Sequence, residues 1–426
     1  MTSIKITPTK LKGTIQVPPS KSLAHRAIIA ASLAKGESRI DNIEYSKDIQ
    51  ATIKAMESLG TKIKQYDDYL IIDGSTTYTK KQSFIDCEES GSTLRFMVPI
   101  SIVNENQVHF TGRGNLGKRP LDTYYHIFDL QNIHYTYHKD ILDLHIEGKL
   151  LPGNFEIPGN ISSQFITGLL FALPLLDGDS TITITSPLES KGYIDLTLQV
   201  LNQFGIKVIN HNYETFTITG NQTYHAHDYR VEADFSQAAF FLVAGALGSE
   251  VTLADLNLDS LQGDKMILDY LKAMGAKIEQ NSQGIQVRAE TLKAIEVDAS
   301  QCPDVIPVLA VGLSLAEGES QVINAGRLRI KECDRIEATT SQINQIGGQI
   351  VELPEGMEIT GVDYFTGGNC CTYNDHRIAM MLAIAATRAK KPIVLDNKEC
   401  VAKSYPSFWE DYQSLGGIVD VIDMEK

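Results

Sequence analysis

The last third of the chain places basic and acidic side chains next to each other in two short segments. IKECDRIEA contains Lys331, Glu332 and Arg335, and YNDHR contains Arg377. On a helix Lys331 and Arg335 would share a face, where two cations repel each other unless an anion lies between them. Ammonium and guanidinium groups also bind phosphates and carboxylates. A charged surface helix explains the first segment only weakly. Together with Lys403 in CVAKSYP, these segments therefore predict a site for an anionic ligand.

The segment PPSKSLAHR combines a lysine, a hydroxyl and an arginine at a predicted helix start. The prolines keep the chain extended, and Lys21 and Ser22 follow where backbone N–H groups have no partner within the helix. Arg26 comes one turn later. These groups could bind a phosphate together. A capped helix with a solvated lysine and arginine would explain the same residues, so this segment alone leaves both interpretations open.

The second and third helix starts carry small, hydroxyl and amide residues. Gly91 in ESGSTLR would let a ligand approach the backbone closely, and Arg119 ends a glycine-rich loop, GRGNLGKRP, that could close over a ligand. The third start offers Ser162, Ser163 and Gln164. Serine and glycine are also ordinary helix caps, and basic glycine-rich loops are often merely exposed, so these explanations stay open too.

Asp304 precedes an apolar stretch, VIPVLAVGLSLA. An N-terminal cap is the ordinary explanation for an aspartate at this position, and the helix dipole would favour its ionised form. Ser190 and Tyr193, in SKGYID, could face the same cleft as the third helix start.

The predicted helix starts recur at corresponding points of a sixfold repeat with a period of about 70 residues. Apolar helices are predicted to begin at Lys21, Gly91, Ser163, Ser236, Asp304 and His376. A second series, in which a helix is predicted to end just before a strand, occurs at Gly60, Asn132, Gly205, Gly275, Gly347 and Gly416. Glycine and asparagine readily take the left-handed conformation that ends a helix. Each copy should therefore contain a buried apolar helix, an amphipathic helix and several strands.

The composition excludes several classes of partner. The formal net charge of −15 argues against nucleic acid as the main partner. No apolar run reaches the ~20 residues of a membrane span, and no secretory signal is recognised, so we expect a cytoplasmic protein without a membrane partner. The six cysteines show no paired ligand spacing, which favours free thiols over disulfides or a zinc site.

Taken together, these segments resemble the enolpyruvyl transferase family. They occur in family order over essentially the whole chain and are PPSKSLAHR, SGSTLR, the Arg-Pro of GKRP, ISSQF, SKGYID, PDVIP, IKECDR, YNDHR and AKSYP. The resemblance implies an α/β fold of two similar domains, each of three copies of a mixed α/β unit with buried parallel helices, and an active site in the inter-domain cleft. We expect one domain over 18–228, holding repeats one to three. The other is discontinuous, consists of 1–17 and 229–426, and holds repeats four to six.

The resemblance also implies a reaction: transfer of the enolpyruvyl group of phosphoenolpyruvate to the 5-hydroxyl of shikimate 3-phosphate, by addition and elimination through a tetrahedral intermediate. The residues expected to bind shikimate 3-phosphate are Lys21, Ser22, Arg26, Ser162, Ser163, Gln164, Ser190, Tyr193, Asp304 and Lys331. Those expected to bind phosphoenolpyruvate are Lys21, Gly91, Arg119, Gln164, Arg335, Arg377 and Lys403. Asp304 is expected to be the base and Glu332 the acid at the methylene carbon, with Lys21 as a third catalytic residue. Seven basic residues of these sets could balance the negative charges of the substrates, so we expect no metal and no cofactor. We also expect a monomer.

Two alternatives remain. The sister enzyme that transfers enolpyruvyl to a UDP-sugar commonly carries a loop cysteine where this chain has Gly114, and a Lys-Asn pair in place of Lys21 and Ser22. A non-catalytic phospho-ligand binder is the other, although binding alone gains nothing from Asp304 and Glu332 near anionic ligands.

Overall fold

The protein, described here by a computed structural model, is defined over residues 2–422 and divides into two compact units. One unit is continuous and spans Pro19–Val231; we call it the inserted unit. The other, the discontinuous unit, combines Met1–Pro18 with Glu232–Lys426. Within the described residues no helix is long and apolar enough to cross a bilayer.

Helices and strands alternate along both units. The α-helices are α1 (Lys21–Leu33), α2 (Lys47–Ser58), α3 (Gly91–Ser101), α4 (Asp122–Gln131), α5 (Ser163–Ala172), α6 (Lys191–Gln203), α7 (Phe235–Ala246), α8 (Met266–Ala273), α9 (Ile306–Leu313), α10 (Arg335–Gln345), α11 (His376–Ala386) and α12 (Phe408–Ser414). The strands are β1 (Ser3–Thr7), β2 (Lys12–Gln16), β3 (Glu37–Asp41), β4 (Lys62–Gln65), β5 (Tyr69–Asp73), β6 (Gln82–Asp86), β7 (Asn106–Thr111), β8 (His134–Tyr137), β9 (Asp143–Gly148), β10 (Asn154–Ile157), β11 (Ser180–Ile184), β12 (Val208–His211), β13 (Thr215–Ile218), β14 (Tyr229–Arg230), β15 (Glu250–Ala254), β16 (Lys277–Asn281), β17 (Gly284–Arg288), β18 (Glu296–Asp298), β19 (Glu319–Ile323), β20 (Gln349–Leu353), β21 (Gly356–Thr360), β22 (Gly368–Cys370), β23 (Ile393–Leu395) and β24 (Ile418–Ile422).

Each sheet follows one plan of four strands. In the sheet ordered β6-β7-β9-β8, the parallel strands β6 and β7 are joined through the apolar helix α3, and α4 then leads to the antiparallel pair β8 and β9. The order is the same in β10-β11-β13-β12 and in β18-β19-β21-β20. A parallel pair needs a crossover connection, which α3 supplies, and α4 connects β7 to β8, which are not neighbours in the sheet.

Three further sheets complete the plan with a strand that is distant in sequence. In the inserted unit β14 pairs in parallel with β3. In the discontinuous unit β2 pairs in parallel with β15, and β1 lies antiparallel between β23 and β24. The strands before residue 19 therefore belong to the sheets of the discontinuous unit.

The six predicted apolar helices are confirmed. Four of them begin at the predicted residue, α7 begins one residue earlier at Phe235, and a single 3₁₀ turn, Pro303–Val305, precedes α9. All residues of α7, α9 and α11 are buried, because each helix is surrounded by its own unit's sheets and helices. The predicted helix-ending residues have the expected positive φ angles, from 55° at Asn132 to 109° at Gly60. The six are Gly60, Asn132, Gly205, Gly275, Gly347 and Gly416.

Candidate active site

Arg335 is the centre of a buried ionic cluster in the discontinuous unit. As the first residue of α10, with its side chain 1% exposed, it donates to three carboxylates. Its Nη1 lies 3.0 Å from Asp304 Oδ1, its Nη2 2.7 Å from Glu332 Oε2, and its Nε 2.8 Å from Asp375 Oδ2. Burial alone would lower the pKa of this guanidinium, but the three carboxylates outweigh burial and hold the pKa well above its ordinary value. We call Asp304, Glu332, Arg335 and Asp375 the Arg335 cluster.

Asp304 lies in the 3₁₀ turn before α9 and contacts three cations. Its Oδ1 accepts from Lys331 Nζ at 3.1 Å and from Arg335 at 3.0 Å, while its Oδ2 lies 3.5 Å from Arg377 Nη2. Burial would raise the pKa of this carboxyl, but Lys331, Arg377 and Arg335 hold it well below its usual range. Asp304 is therefore ionised at neutral pH, and it is not the N-terminal cap that its position in the sequence suggests.

The predicted helical face shared by Lys331 and Arg335 is wrong. Lys331 follows a 3₁₀ turn with an extended backbone, φ −84° and ψ −152°, and only Arg335 belongs to a helix. The two cations nevertheless meet, because Asp304 lies between them and accepts from both. The anion between them is thus a side chain of the protein, whereas the sequence predicts an anionic ligand at this place.

Glu332, Lys403 and Arg377 complete this half of the predicted site. Glu332 Oε1 lies 3.7 Å from Lys403 Nζ, and the two side chains are largely buried. Arg377, in the first turn of α11, donates to Ser236 Oγ at 2.9 Å and to the Ser236 carbonyl at 3.3 Å. Its Nε is buried and has no acceptor among the described residues. A buried cationic donor without a partner is costly, so this N–H is suited to an anionic ligand.

Asp375 is a functional candidate that the sequence argument missed. It is fully buried, caps α11 by accepting from Arg377 N at 2.8 Å, and also accepts from Arg335. It lies between Asn374 and His376 in YNDHR, immediately before α11. An aspartate at an N-cap has an ordinary explanation, so nothing in the sequence indicates its second contact, which comes from a residue 40 positions away.

The remaining predicted site residues lie in the inserted unit, where Lys21 begins α1. Its Nζ donates to Asp48 Oδ2 at 2.8 Å, and the two side chains are 17% and 6% exposed. Ser22 lies in the same turn, and its carbonyl accepts from Arg26 Nη1 at 2.7 Å. Asp48, in the first turn of α2, is a second carboxylate that the sequence argument did not select.

Arg26 is buried and mostly occupied by protein acceptors. Besides the Ser22 carbonyl, it donates to Thr197 Oγ1 at 2.9 Å, to the Tyr193 carbonyl at 3.0 Å and, at 3.5 Å, to Thr167 Oγ1. Burial lowers its pKa to about 10, which leaves it charged at neutral pH. A guanidinium has five N–H groups, so one remains for a ligand.

Gln164 joins two helix starts through its side-chain amide. Its Oε1 accepts from Arg95 Nη1 at 2.9 Å and its Nε2 donates to Ser92 Oγ at 2.9 Å. Arg95 also donates to the Pro120 carbonyl at 3.2 Å, so it ties the loop that carries Arg119 to α3 and α5. Arg95 is not among the site residues predicted from the sequence, because its burial beneath the loop depends on contacts between distant segments.

Gly91 and Arg119 are brought together. A Cβ added at Gly91 would lie 2.6 Å from Arg119 Nη1, so the guanidinium rests against the glycine. The start of α3 is held from below by buried hydroxyls. Thr93 Oγ1 lies 2.8 Å from Ser90 Oγ and 2.7 Å from Thr52 Oγ1, which is 2.7 Å from His25 Nδ1. Burial is the main cause that lowers the pKa of His25 to about 3, so this ring is neutral.

The other predicted residues of the inserted unit lie at the starts of α5 and α6. Ser162 caps α5 and accepts from Gln164 N at 3.3 Å, and Ser163 is its first residue. Ser190 precedes α6 with a φ of 56°, a left-handed conformation that is unfavourable for any residue other than glycine. Tyr193 lies in the first turn of α6. The predicted site residues therefore form two sets, each gathered within its own unit.

Comparison with known proteins now identifies the chain. The family model described as EPSP synthase (3-phosphoshikimate 1-carboxyvinyltransferase) matches residues 6–412. The chain belongs to the EPSP synthase family. Two relatives named 3-phosphoshikimate 1-carboxyvinyltransferase are one from Clostridium beijerinckii, 55% identical over 429 residues that cover 99% of both chains, and one from Clostridioides difficile, 52% identical over 437 residues that cover both completely.

Solved structures agree with this assignment. EPSP synthase from Acinetobacter baumannii superposes with a TM-score of 0.82 at 25% identity, over 99% of this chain and 100% of that one. The enolpyruvyl transferase NikO from Streptomyces tendae superposes with a TM-score of 0.81 at 15% identity, over 99% of this chain and 98% of that one, which shows a common fold. The resemblance and the α/β fold class expected from the sequence are thus confirmed.

Proposed function

We propose that this member of the EPSP synthase family transfers the enolpyruvyl group of phosphoenolpyruvate to the 5-hydroxyl of shikimate 3-phosphate and releases phosphate. Membership of the family over residues 6–412 supports the reaction. The observation that carries the proposal is the Arg335 cluster, in which two carboxylates, Asp304 and Glu332, bind the same buried guanidinium. A binding protein for anions would not gain from these carboxylates, whereas proton transfer needs them.

For anion binding, the proposal assigns the predicted site residues to the two substrates. Shikimate 3-phosphate is assigned to Lys21, Ser22, Arg26, Ser162, Ser163, Gln164, Ser190, Tyr193, Asp304 and Lys331. Phosphoenolpyruvate is assigned to Lys21, Gly91, Arg119, Gln164, Arg335, Arg377 and Lys403. The buried and half-buried lysines and arginines among them can bind phosphate and carboxylate oxygens with charge-assisted hydrogen bonds of about 1.5–3 kcal/mol each.

The charge balance is tighter than a count of basic residues suggests. In the discontinuous unit four cations face three carboxylates; they are Lys331, Arg335, Arg377 and Lys403, and Asp304, Glu332 and Asp375. These seven groups leave one net positive charge, and Arg327, which is close enough to lower the pKa of Lys331, adds a further cation. Anionic ligands must therefore draw cations away from carboxylates as well as fill free donors. This exchange couples ligand binding to the proton affinity of the carboxylates.

That coupling addresses the low pKa of Asp304. A carboxylate whose charge is balanced by three cations is a poor base. When the substrates' negative charges neutralise Lys331, Arg335 and Arg377, the same cations stabilise the ionised carboxylate less, and its proton affinity rises. Substrate binding thus makes Asp304 a better base at the moment when the 5-hydroxyl is present.

In the proposed mechanism Asp304 accepts the proton of the 5-hydroxyl, whose oxygen then bonds to C2 of phosphoenolpyruvate. Glu332, which takes up a proton once the substrates have drawn Arg335 and Lys403 away from it, donates that proton to the methylene carbon, which gives a tetrahedral adduct. In the second half Glu332 takes a proton back from that carbon, the C–O bond to phosphate breaks, and the phosphate leaves with the proton that Asp304 had accepted, so that the enolpyruvyl ether remains. Lys21 and the arginines stabilise the negative charge during both halves.

The sister reaction with a UDP-sugar is less well supported. At the position of its loop cysteine this chain has Gly114 with a φ of 57°. A Cβ there would lie 3.1 Å from Glu89 Cδ, so a cysteine would be strained in this loop conformation. The names and identities of the relatives also favour shikimate 3-phosphate as the acceptor.

A phosphate-release assay tests the proposal. Phosphoenolpyruvate with shikimate 3-phosphate should release phosphate, and replacing the acceptor by UDP-N-acetylglucosamine should not. Glu332→Gln should slow solvent hydrogen exchange at the methylene carbon, and Glu337→Gln, an exposed glutamate in the first turn of α10, is the matched control. If phosphate were released with the UDP-sugar and not with shikimate 3-phosphate, the UDP-sugar would be the acceptor and the proposal would be wrong. Normal turnover in folded Asp304→Ala would show that Asp304 is not the base.

The proposed partners are therefore two small metabolites. A monomeric state and a cytoplasmic location stay predictions from the sequence. Sedimentation of the purified protein checks the first.

A further inference from the structure

The sheet ordered β6-β7-β9-β8 carries a polar face with three histidines and one aspartate. In β9 Leu144 and Ile146 are buried, so Asp143 and His145 point to the opposite, solvent-accessible face. His109 of β7 lies directly across from His145 in the antiparallel register. His138 follows β8, and its backbone N–H donates to the Asp143 carbonyl. We call His109, His138, Asp143 and His145 the surface histidine cluster.

The ligand-capable atoms of this cluster converge on one carboxylate. His109 Nε2 lies 2.7 Å and His145 Nε2 3.3 Å from Asp143 Oδ1, and His138 Nδ1 lies 3.3 Å from Oδ2. The ligand atoms of His109, Asp143 and His145 all lie within 4.8 Å of one another. The imidazoles of His109 and His145 stack with centroids 3.9 Å apart and planes 13° apart, and both Nε2 atoms face Asp143 Oδ1.

Two features keep the cluster ordered without a ligand. Phe84 packs its ring edge-to-face against His109, with 5.3 Å between centroids. The strands themselves fix the cross-strand pair through the β7–β9 register. The side chains of His109 and Asp143 are about one-third exposed, at 32% and 31%, so the atoms are positioned by the sheet and still open to solvent.

We infer that the surface histidine cluster binds a divalent transition-metal ion of borderline softness, with Zn²⁺ as the representative ion. Imidazole nitrogen and carboxylate oxygen are the ligands such ions prefer, with bonds of about 2.0–2.2 Å. The ion takes the place of the protons through which the imidazoles now contact Asp143. His109, His145 and Asp143 supply three ligands, and His138 or water supplies the fourth.

A histidine–aspartate hydrogen-bond network on a sheet surface would explain the contacts without a metal. The arrangement differs from an ordinary network because three imidazole nitrogens point at one carboxylate, and no described lysine or arginine pairs with Asp143. An ion can also reach the cluster, since His109 and His145 line a groove of about 740 Å³ with His134, Phe84, Gln107 and Glu147. None of these residues belongs to the substrate sets, so the inference is independent of the proposed function.

The ion would join β7, β9 and the end of β8. Because it binds the folded arrangement and not the separated strands, it should raise the melting temperature of the inserted unit, by an amount that grows with the logarithm of the free ion concentration above Kd. It should leave phosphate release from phosphoenolpyruvate unchanged, because the cluster contributes no residue to the proposed site.

Calorimetric titration of the metal-free full chain with ZnCl₂, in a non-chelating buffer with a phosphine reductant, tests the inference. One ion per chain should bind with micromolar affinity, and His109→Gln and His145→Gln should each weaken binding by about tenfold or more. The matched controls are His134→Gln, an imidazole of the same groove, and Cys371→Ser, the exposed thiol. Both should bind Zn²⁺ as the parent does.

The inference would be overturned by no saturable binding by the parent, or by unchanged affinity in both His109→Gln and His145→Gln. Loss of binding in Cys371→Ser would do the same, because it would place the ion elsewhere. A Co²⁺ titration adds a spectroscopic check that needs no change of sequence. Visible absorption bands of a four-coordinate ion should appear with the parent and disappear with His145→Gln, while urea unfolding in EDTA confirms that this variant is folded.

Discussion

The substitution Asp375→Asn separates the charge of Asp375 from its capping role. Asparagine and aspartate cap helices about equally well, so the bond from Arg377 N to Oδ1 at 2.8 Å should persist. The second carboxylate oxygen, which accepts from Arg335 Nε at 2.8 Å, becomes an NH₂ group that faces a donor. Arg335 then keeps Asp304 and Glu332 as its carboxylate partners in the Arg335 cluster, and its Nη2 keeps the 3.2 Å bond to Oδ1 of residue 375.

The magnitude follows from the burial of the pair. Removing one partner of a buried ion pair costs about 3–5 kcal/mol when the other charge is left alone. Because two carboxylates remain on Arg335, the cost should be closer to that of one charge-assisted hydrogen bond, about 2–3 kcal/mol. A loss of that size in the alignment of Arg335 would also lower kcat/KM for phosphoenolpyruvate by about tenfold to a hundredfold.

Urea unfolding and steady-state kinetics measure the two effects in the same preparation. Asp334→Asn is the matched control, because Asp334 caps α10 next to Arg335 and its ion pair with Arg329 is 27% exposed on both sides. That partly exposed pair should be worth at most about 1 kcal/mol. If Asp375→Asn lowered stability and kcat/KM no more than Asp334→Asn does, the claim that Asp375 holds Arg335 in place would be refuted.

Three further predictions concern other parts of the site. Burial lowers the pKa of Lys331 to about 8, so kcat/KM should fall as pH rises through 8 and this cation loses its charge; a pH profile in which Lys331→Arg falls at the same pH would contradict this. Gly91→Ala should raise the KM for phosphoenolpyruvate about tenfold with little change in urea stability, because its methyl group displaces Arg119; an unchanged KM would show that the guanidinium is not needed there. Arg95→Lys, which cannot serve both Gln164 and the Pro120 carbonyl, should cost about 1.5–3 kcal/mol in kcat/KM, and a loss below twofold would remove it as a positioning residue.

The repeat could be predicted from the sequence because its signals are local. A glycine or asparagine that ends a helix needs a positive φ wherever the rest of the chain lies, and the values from Asn132 to Gly60 follow that rule. The apolar helices were equally visible, since a helix buried on all sides has no polar face. The start of α9 was displaced because Pro303 and Asp304 form a separate 3₁₀ turn.

The partners of the site residues could not be predicted because they depend on tertiary contacts. Asp48 is 27 residues from Lys21, and Asp375 is 40 residues from Arg335, distances over which sequence spacing carries no information. The surface histidine cluster could not be predicted from the sequence for a related reason. His109 and Asp143 look unremarkable apart, and only the antiparallel register brings them together.

The exchange of strands between sequence ends has a consequence for synthesis on the ribosome. β1 and β2 leave the exit tunnel first, yet their partners β15, β23 and β24 are translated much later. The inserted unit, by contrast, has every sheet partner as soon as β14 emerges to pair with β3. We therefore expect it to fold first during translation while the leading strands wait unpaired. The hydrogen bond from Asp234 N to the Pro18 carbonyl, at 2.8 Å, lies where the chain that follows the inserted unit first contacts the segment that carries β1 and β2.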